Sequence, residues 1–502
     1  MRRLGRVEEE GVVLGSGRKT QVGMSAPINT IRTRHGSDGG KLTLGIFLAV
    51  VGMFAMSRAS WGSATTSCMI LAILGLVASS FVLLERSADP LHPVAVAVLL
   101  YAVSMAVAPL WLGSFYGSER PAYGAANDEA LTWAAVLALV GMLALLAGYS
   151  LVRLGSGRSN RSGLAHWDLS GKTRTFMLGA AVVLGALGVV CYLTLVMKGG
   201  GTSYFLQYNL GRADIFRGIY GGWFWGAMLM FAALGLFGVC MIHNHPWWCL
   251  TIALMMSGAF FLFQGRDLVI APLFCWLTLF HYGRRRFRWQ AILAGGVLLI
   301  VVSAFVGTYR MTANTKVRAD WGQMTEYFYE NLDLQIVRVV AQNIEQLDSV
   351  AIAVRYVRHG GELLGPLALL NWIEPIDRQL FGDSIPTIET GRFMDLLVYP
   401  EHVGWNTALS PSLIGELYIA LGLGGVLIGM FVYGAVLAMM QRWVDNRFHA
   451  PVLFAAYPFV SYMIFKMVVD GTGQLFRLVL ILAVVWACVW MAPIRRTRSF
   501  DV

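Results

Sequence analysis

The feature that most constrains this chain is a series of apolar segments, each about as long as a helix that crosses a bilayer. An α-helix rises about 1.5 Å per residue, so roughly 20 apolar residues cross the hydrocarbon. Twelve segments meet or approach this length: 42–57, 66–84, 93–113, 131–152, 176–197, 222–242, 247–264, 268–282, 289–307, 413–440, 451–469 and 475–491. The pattern predicts an all-α polytopic membrane helix bundle of about twelve spans.

Composition excludes several classes of protein. Hydrophobic residues make up 57% of the 502-residue chain and charged residues only 14%. A soluble protein of this size needs a larger charged surface, so the apolar excess has to face lipid. The net charge of +10 does not indicate nucleic-acid binding, because the basic residues lie in short loops between apolar segments. All six cysteines lie inside apolar segments, which leaves neither a disulfide framework nor a zinc spacing.

The distribution of lysine and arginine predicts the orientation of the bundle. The short basic segments 153–174 and 283–288 fall on the same side as both termini, provided that 247–264 and 268–282 form a hairpin. The tip of that hairpin is Gly265-Arg266-Asp267. By the positive-inside rule, both termini are then cytoplasmic.

This orientation gives the predicted domain organisation. Residues 1–41 are a disordered cytoplasmic tail, 42–307 carry spans one to nine, 308–412 form a large periplasmic loop subdomain, 413–494 carry spans ten to twelve, and 495–502 are a second cytoplasmic tail. The first apolar segment begins only at Leu42, so we expect a retained anchor and no cleaved signal peptide. Met24 is an alternative start.

The loop subdomain 308–412 is too long to lack structure of its own. Apolar residues recur at spacings of three and four from Phe328 to Val354, which predicts one amphipathic helix. Its polar face carries Asp333, Arg338, Glu345, Asp348 and Arg355. We expect this helix to pack on the bundle or to lie on the bilayer surface.

The charged residues near the apolar segments share one level, at the predicted outer ends of five spans. They are Arg266, Asp267, Arg310, Glu416, Lys466, Asp470 and Arg477. Taken singly, each of these residues is explained either by a side chain that extends from the membrane to water, or by an ion pair between two helices. Because an ionisable residue within the membrane is costly and marks functional sites, the joint pattern favours an active or binding site under the outer surface.

Clustered arginines suit a phosphate or a pyrophosphate, since the guanidinium fork donates two hydrogen bonds to such anions. The predicted outer loop 198–222 adds Arg212 and Arg217 among tyrosines, a pattern typical of surfaces that hold sugars and phosphates. No Asp-x-Asp motif and no glycine-rich phosphate loop occurs. We therefore expect no metal and no cofactor.

Four motifs resemble the Wzy-type polymerases of O-antigen and related bacterial polysaccharides. They are Phe263-Gln264-Gly265-Arg266-Asp267, Gly307-Thr308-Tyr309-Arg310, Ser410-Pro411-Ser412, and Gly415-Glu416-Leu417-Tyr418 followed by Gly422, Gly424 and Gly425. The resemblance extends from about Phe176 to the end of the chain, and before that it concerns topology more than sequence.

The resemblance implies an oligosaccharide repeat-unit polymerase in the bacterial inner membrane, where a growing glycan moves from undecaprenyl pyrophosphate onto the next lipid-linked repeat unit. The implied catalytic residues are Arg266, Arg310, Glu416 and His402. The implied substrate-binding residues are Asp267, Tyr309, Arg212, Arg217, Arg477, Lys466 and Tyr418. Candidates for the general base are His402, His359, Glu416, Glu401 and Asp267. A Wzz-type chain-length regulator and a flippase are the implied protein partners.

Three alternatives remain open on the sequence alone. An O-antigen ligase shares the topology but transfers the finished chain to another acceptor. Peptidoglycan polymerases of the shape-and-division type also have a large outer loop, and they are a more distant possibility. A lipid-oligosaccharide flippase is the non-enzymatic alternative, although a transporter site is expected near the midplane, between repeated halves and broken helices.

Overall fold

The computed structural model describes residues 73, 75, 89–109, 111–112, 128–154, 169–198, 212–262, 266–314, 321–336, 346–373, 389–400, 409–445 and 454–491. At 212–225, 266–267 and 306–314 it describes the backbone alone. The predicted tails and nearly all of the first two predicted spans lie outside these ranges. Within the described residues every regular element is helical and no strand occurs, as the apolar segments predict.

Thirteen α-helices of nine or more residues are described, and we number them in chain order. They are α1 (Pro93–Ala102), α2 (Asp128–Leu154), α3 (Gly171–Lys198), α4 (Arg212–Met241), α5 (Pro246–Leu262), α6 (Arg266–Gly283), α7 (Trp289–Asn314), α8 (Trp321–Glu330), α9 (Leu347–Arg358), α10 (Thr390–Val398), α11 (Leu413–Asp445), α12 (Tyr457–Asp470) and α13 (Leu475–Met491). A π-helical segment (Val103–Val107) extends α1, and 3-10 helices cover Pro366–Ile373 and Gly471–Gln474.

Three of the described helices are long and apolar enough to cross a membrane: Glu129–Arg153, Gly171–Thr194 and Leu413–Val444. Six shorter apolar helices accompany them: Pro93–Val107, Gly226–Met241, Pro246–Phe260, Leu268–Gly283, Trp289–Val302 and Leu475–Cys488. An apolar helix of this length is stable where lipid surrounds it, because its backbone hydrogen bonds are satisfied within the segment. The chain is a helical membrane protein.

Glycines set the closest helix contacts in the bundle. A Cβ atom added to Gly148 of α2 would lie 2.0 Å from the carbonyl oxygen of Phe431, and one added to Gly434 of α11 would lie 2.0 Å from that of Leu145. Gly235 of α4 approaches the backbone of Ala455 equally closely. Small residues of this kind let backbones pack tightly in membranes, where van der Waals contact is the main force between helices.

Successive membrane helices run in opposite directions along the bundle. Contacts between helix ends therefore define two ends of the bundle, which we call the Asp89 end and the Glu416 end. At the Asp89 end, the Tyr282 hydroxyl donates to the Leu91 carbonyl over 3.0 Å, and Arg442 of α11 donates to the Val152 carbonyl over 2.6 Å. At the Glu416 end, the Ser412 backbone N–H donates to the Val469 carbonyl over 3.1 Å. The two ends lie at opposite ends of α12.

The predicted hairpin at 247–282 is present as two antiparallel helices, α5 and α6. The Ser257 hydroxyl donates to the Val269 carbonyl over 2.7 Å, and the Trp276 indole donates to the Pro246 carbonyl over 3.2 Å. Because Gly283 lies at the Asp89 end, α6 begins at the Glu416 end.

The prediction of one helix from Phe328 to Val354 is wrong. α8 ends at Glu330 and residues 332–336 are helical again, but Gln346 precedes α9 with φ −133° and ψ −5°, which is not a helical conformation. Asp348, expected on the polar face, is only 3% exposed. The reason is that α9 does not lie on the surface of the bundle. Residues 347–354 are all buried, because the helix is inserted between α2, α10 and the start of α11.

The apolar segment at 413–440 is not one continuous helix either. α11 is interrupted at Gly422, whose φ of 65° and ψ of −154° lie in a region that only glycine adopts readily. The 23 residues from 423 to 445 are about 34 Å long and suffice to cross a bilayer. Residues 413–421 therefore form a separate short helix.

Candidate functional site

The short helix 413–421 folds back along the rest of α11. A Cβ atom on Gly425 would lie 2.4 Å from the Leu417 carbonyl oxygen, and one on Gly429 would lie 2.4 Å from the Leu417 side chain. In an uninterrupted helix these positions are about 12 and 18 Å apart along the axis. Ile414 and Met430 also meet above Gly141 of α2. The chain thus enters the bundle at Ser412 and runs outward to the turn at Gly422. It then reverses direction and crosses the bundle toward the Asp89 end.

Glu416 lies on this short helix and is completely buried. Its carboxylate accepts two hydrogen bonds from one residue, Thr472. The Thr472 backbone N–H donates to Oε2 over 2.5 Å, and the Thr472 hydroxyl lies 2.9 Å from Oε1. A buried carboxylate is costly unless donors satisfy it. Here the donors come from the connection between α12 and α13.

That connection is a second break in a helical path. α12 ends at Asp470, and Gly471 follows with φ 74° and ψ −161°, in the same glycine-only region as Gly422. A Cβ atom on Gly471 would lie 2.4 Å from Oε2 of Glu416. Glycine is therefore required at position 471 both by its backbone conformation and by the close approach of the carboxylate.

Further polar groups gather around the same break. The Ser410 hydroxyl lies 2.7 Å from the Val469 carbonyl and 3.2 Å from Oδ1 of Asp470. Lys466 Nζ lies 2.6 Å from Oδ2 of Asp470, and both side chains are partly exposed. Ser412 caps the short helix, since its hydroxyl accepts the Gly415 N–H over 3.0 Å. We refer to Ser410, Ser412, Glu416, Lys466, Asp470 and Thr472 together as the Glu416 site.

The loop subdomain covers this site. The backbone N–H groups of Leu364 and Gly365 donate over 3.0 Å each to the carbonyls of Ile419 and Ala420. In a continuous helix these carbonyls would accept from residues 423 and 424, so the loop replaces the partners that the break at Gly422 removes. The Leu369 carbonyl, in the 3-10 helix Pro366–Ile373, lies 3.4 Å from the Thr472 hydroxyl.

No protein-family model, no curated protein and no solved structure matches this chain.

The predicted site residues are distributed as follows. Glu416 and Lys466 lie in the Glu416 site, while Tyr418 is half-buried on the short helix, in contact with the core of the loop subdomain. Lys466 forms an ion pair with Asp470, four residues on. Arg477 is partly buried in the first turn of α13, just beyond the break.

Other predicted residues are described by their backbone or not at all. Arg266 and Asp267 open α6, and Tyr309 and Arg310 lie in the last turns of α7, which continues to Asn314 instead of ending at 307. Arg212 and Arg217 lie in the first turns of α4, where the sequence predicts a loop. The side chains of these six residues, and the whole of His402 and Glu401, lie outside the described residues. The other histidine considered as a base, His359, is exposed, and its Nδ1 lies 2.8 Å from the Arg355 carbonyl.

The sequence reasoning missed a second polar cluster, at the Asp89 end. Asp89 accepts from the Leu91 N–H over 3.0 Å, contacts Nε2 of His281 at 2.7 Å, and accepts from Arg286 over 3.1 Å. The Phe287 N–H donates to Nδ1 of His281 over 3.0 Å. Nδ1 is therefore unprotonated, and His281 donates to Asp89 through Nε2.

Electrostatics at this cluster favour an ionised aspartate. Burial raises the pKa of Asp89, but the hydrogen bond from His281, the electrostatic attraction of His281 and the charge of Arg286 together outweigh burial and lower the pKa from 3.8 to about 2. Burial lowers the pKa of the neighbouring His92 to about 4, although Asp89 opposes this shift. These contacts hold the loop 284–288 against the start of α1, so the role of the cluster is structural. The signal available in the sequence was that residues 89–92 and 281–286 both flank apolar segments on the same predicted side.

Proposed function

We propose that this chain is a multi-pass polysaccharide polymerase of the bacterial inner membrane. It joins undecaprenyl-pyrophosphate-linked oligosaccharide repeat units at the outer face of that membrane, and the Glu416 end of the bundle is the outer end. The proposal rests on the resemblance of four sequence motifs to the Wzy-type polymerases, and on where the structure brings the elements that carry them.

The observation that carries the proposal is the convergence of three of those elements, the start of α6, residues 410–412 and the short helix, at one end. The Phe274 ring of α6 lies 5.6 Å from that of Tyr462, and the Tyr282 ring lies 6.0 Å from that of Tyr457, so α6 runs antiparallel to α12. The helix start at Arg266 is therefore at the level of Asp470. α7 starts beside the Asp89 cluster, is about 39 Å long, and packs on α8 through Val301, Ala304 and Phe305. In the proposal, its far end, with Tyr309 and Arg310, lies at the Glu416 end.

The reaction is a glycosyl transfer in which an acceptor hydroxyl of one repeat unit attacks the anomeric carbon of the growing glycan. The new C–O bond forms as the bond from that carbon to the pyrophosphate breaks. The electron pair leaves with undecaprenyl pyrophosphate, and a base takes the hydroxyl proton. In the proposal, Arg266 and Arg310 bind the pyrophosphate and stabilise the negative charge that develops on it.

Glu416 has a different role from the one expected on sequence alone. Its carboxylate is fully buried and hydrogen-bonded to Thr472, so in this conformation it does not reach a substrate hydroxyl. We assign it as a positioning residue that fixes the start of α13, and with it Arg477, relative to the short helix. His402 remains the proposed base, together with Glu401 and Asp267 as alternatives.

The surface glycan of a strain lacking the gene tests the proposed function. Loss of a polymerase leaves single repeat units attached at the cell surface. Loss of a ligase leaves polymer that is not attached, and loss of a flippase leaves lipid-linked repeat units in the inner leaflet. A strain with normal long-chain polysaccharide contradicts the proposal.

Single variants test the assignment of the arginines. We expect Arg266→Ala and Arg310→Ala each to abolish polymer in the complemented deletion strain, with the protein still present in the membrane. Arg285→Ala and Arg288→Ala are matched controls, because these exposed arginines lie at the Asp89 end. Full-length polysaccharide in both test variants would show that the arginines are not catalytic.

A flippase is the second candidate, and one observation favours it. Interrupted helices at a binding site are typical of transporters, and the breaks at Gly422 and Gly471 both border the Glu416 site. Two facts weigh against it: the site lies toward one end of the bundle, and the loop subdomain is packed over it. The deletion strain distinguishes the two candidates.

A further inference from the structure

Two exposed leucines belong to the loop subdomain, and one of them, Leu363, lies beside the turn at Gly422. Leu363 is 47% exposed and Leu367 is 42% exposed, although their neighbours Leu364 and Ala368 are packed inside. Leu363 Cδ1 lies 3.7 Å from the position of a Cβ atom on Gly422. Exposed apolar side chains that cluster in this way mark a surface that contacts lipid or another apolar surface.

These leucines are held rigidly relative to α11. The hydrogen bonds from Leu364 and Gly365 to the Ile419 and Ala420 carbonyls tie the segment to the short helix. Its inner side packs on the core formed by Ile352, Ala353, Met394 and Ile419. The outward direction of Leu363 and Leu367 is therefore set by the fold and does not depend on a free loop.

The patch is continuous with a lipid-facing surface. Exposed apolar residues follow the turn along one face of α11, and they are Leu423, Leu427, Ile428 and Val432. Residues 423–445 form a membrane-crossing helix, so this stripe contacts acyl chains. Leu421 and Leu423, which are also exposed, lie on either side of the glycine that Leu363 approaches.

We propose that Leu363 and Leu367 insert into the lipid leaflet at the Glu416 end, so that the loop subdomain is anchored in the bilayer as well as on the bundle. The bound partner is the acyl and glycerol region of phospholipid. The anchor holds the 3-10 helix Pro366–Ile373, which contacts Thr472 through Leu369, at the depth of the lipid headgroups. This inference depends on the chain being a membrane protein and not on the polymerase proposal.

Site-specific photo-crosslinking in proteoliposomes tests the inference with the full chain. A diazirine amino acid replaces Leu363 or Leu367 in separate variants, and adducts are identified by mass spectrometry. Val432 on the exposed face of α11 is the positive control, and His359, which is exposed beyond the end of α9, is the negative control. Each single replacement keeps an exposed apolar side chain, so folding is preserved.

We expect phospholipid adducts at 363 and 367 as at 432, and water adducts at 359. Water adducts alone at 363 and 367 would overturn the inference. Adducts to a second copy of the chain, or to another membrane protein, would overturn it as well, because they would identify the patch as a protein interface. The glycan assays do not affect this outcome, so the two proposals fail separately.

Discussion

Gly471→Ala is the substitution that tests the packing around the Glu416 carboxylate most directly. The backbone at Gly471 has φ 74° and ψ −161°, and a residue with a side chain held there costs about 1–3 kcal/mol. The new methyl group would also lie 2.4 Å from Oε2 and 3.1 Å from Cδ of Glu416, and 3.2 Å from Cγ of Pro411. The carboxylate has to move, and it then loses the Thr472 N–H.

The size of the effect follows from these two contributions. A hydrogen bond to a charged group contributes about 1.5–3 kcal/mol to the free energy of unfolding, and this contribution is lost when a buried carboxylate is left without its donor. We therefore expect Gly471→Ala to lower the free energy of unfolding by about 3–5 kcal/mol. Gly473→Ala is the matched control two residues away, because no atom lies within 4 Å of its added Cβ and its φ is not positive. We expect the control to change stability by less than about 0.5 kcal/mol.

Unfolding of the purified proteins in mixed micelles, by titration with sodium dodecyl sulfate, measures both variants. A double-mutant cycle with Glu416→Ala separates the two contributions, since removal of the carboxylate removes the clash but not the backbone strain. In that background Gly471→Ala should cost only about 1–3 kcal/mol. The reasoning is refuted if Gly471→Ala is as stable as Gly473→Ala, or if its cost is unchanged when Glu416 is alanine.

Three further predictions concern other parts of the molecule. Gly422→Ala should destabilise the protein by about 1–3 kcal/mol through backbone strain alone, measured by the same titration, with Gly424→Ala as a neutral control because it has no neighbour within 4 Å. The lowered pKa of Asp89 stabilises the fold by about 2 kcal/mol above about pH 4, and this contribution should disappear as the pH falls through about 2. The difference in the free energy of unfolding between wild type and Asp89→Asn should therefore shrink between pH 5 and pH 2. The third prediction is that Arg266→Ala and Arg310→Ala lose polymer while Arg285→Ala keeps it. Equal polymer formation in all of these variants would contradict it.

The sequence predicts the helical class well because the apolar segments are long and charge-free. It also predicts a hairpin at 247–282, and it singles out Glu416 and Lys466 at one end. It does not reveal that α11 is broken, because Gly422 lies among leucines and glycines that a membrane helix tolerates. The break depends on one backbone conformation that composition does not encode.

Two other features escaped prediction for related reasons. Asp348 lies on the polar side of a helical pattern, yet α9 is inserted among α2, α10 and the short helix, so both its faces are covered. Asp89 and His281 are 192 residues apart, and periodicity carries no information about pairs at that separation. Each was hidden because tertiary contacts, and not local pattern, determine the environment of a polar residue.

The two breaks and the buried carboxylate explain one another. If α12 continued through residue 472, the Thr472 N–H would donate to the Val468 carbonyl and would not be available to Glu416. The break at Gly471 frees that N–H, and Glu416 takes it. Likewise, the break at Gly422 turns the short helix back into the bundle, which brings Glu416 to the level of the α12–α13 connection, and the loop subdomain satisfies the carbonyls that the break exposes. The buried carboxyl group of Glu416 is thus retained because two glycines interrupt helices where its donors are needed, and a change at either glycine should disturb the same site.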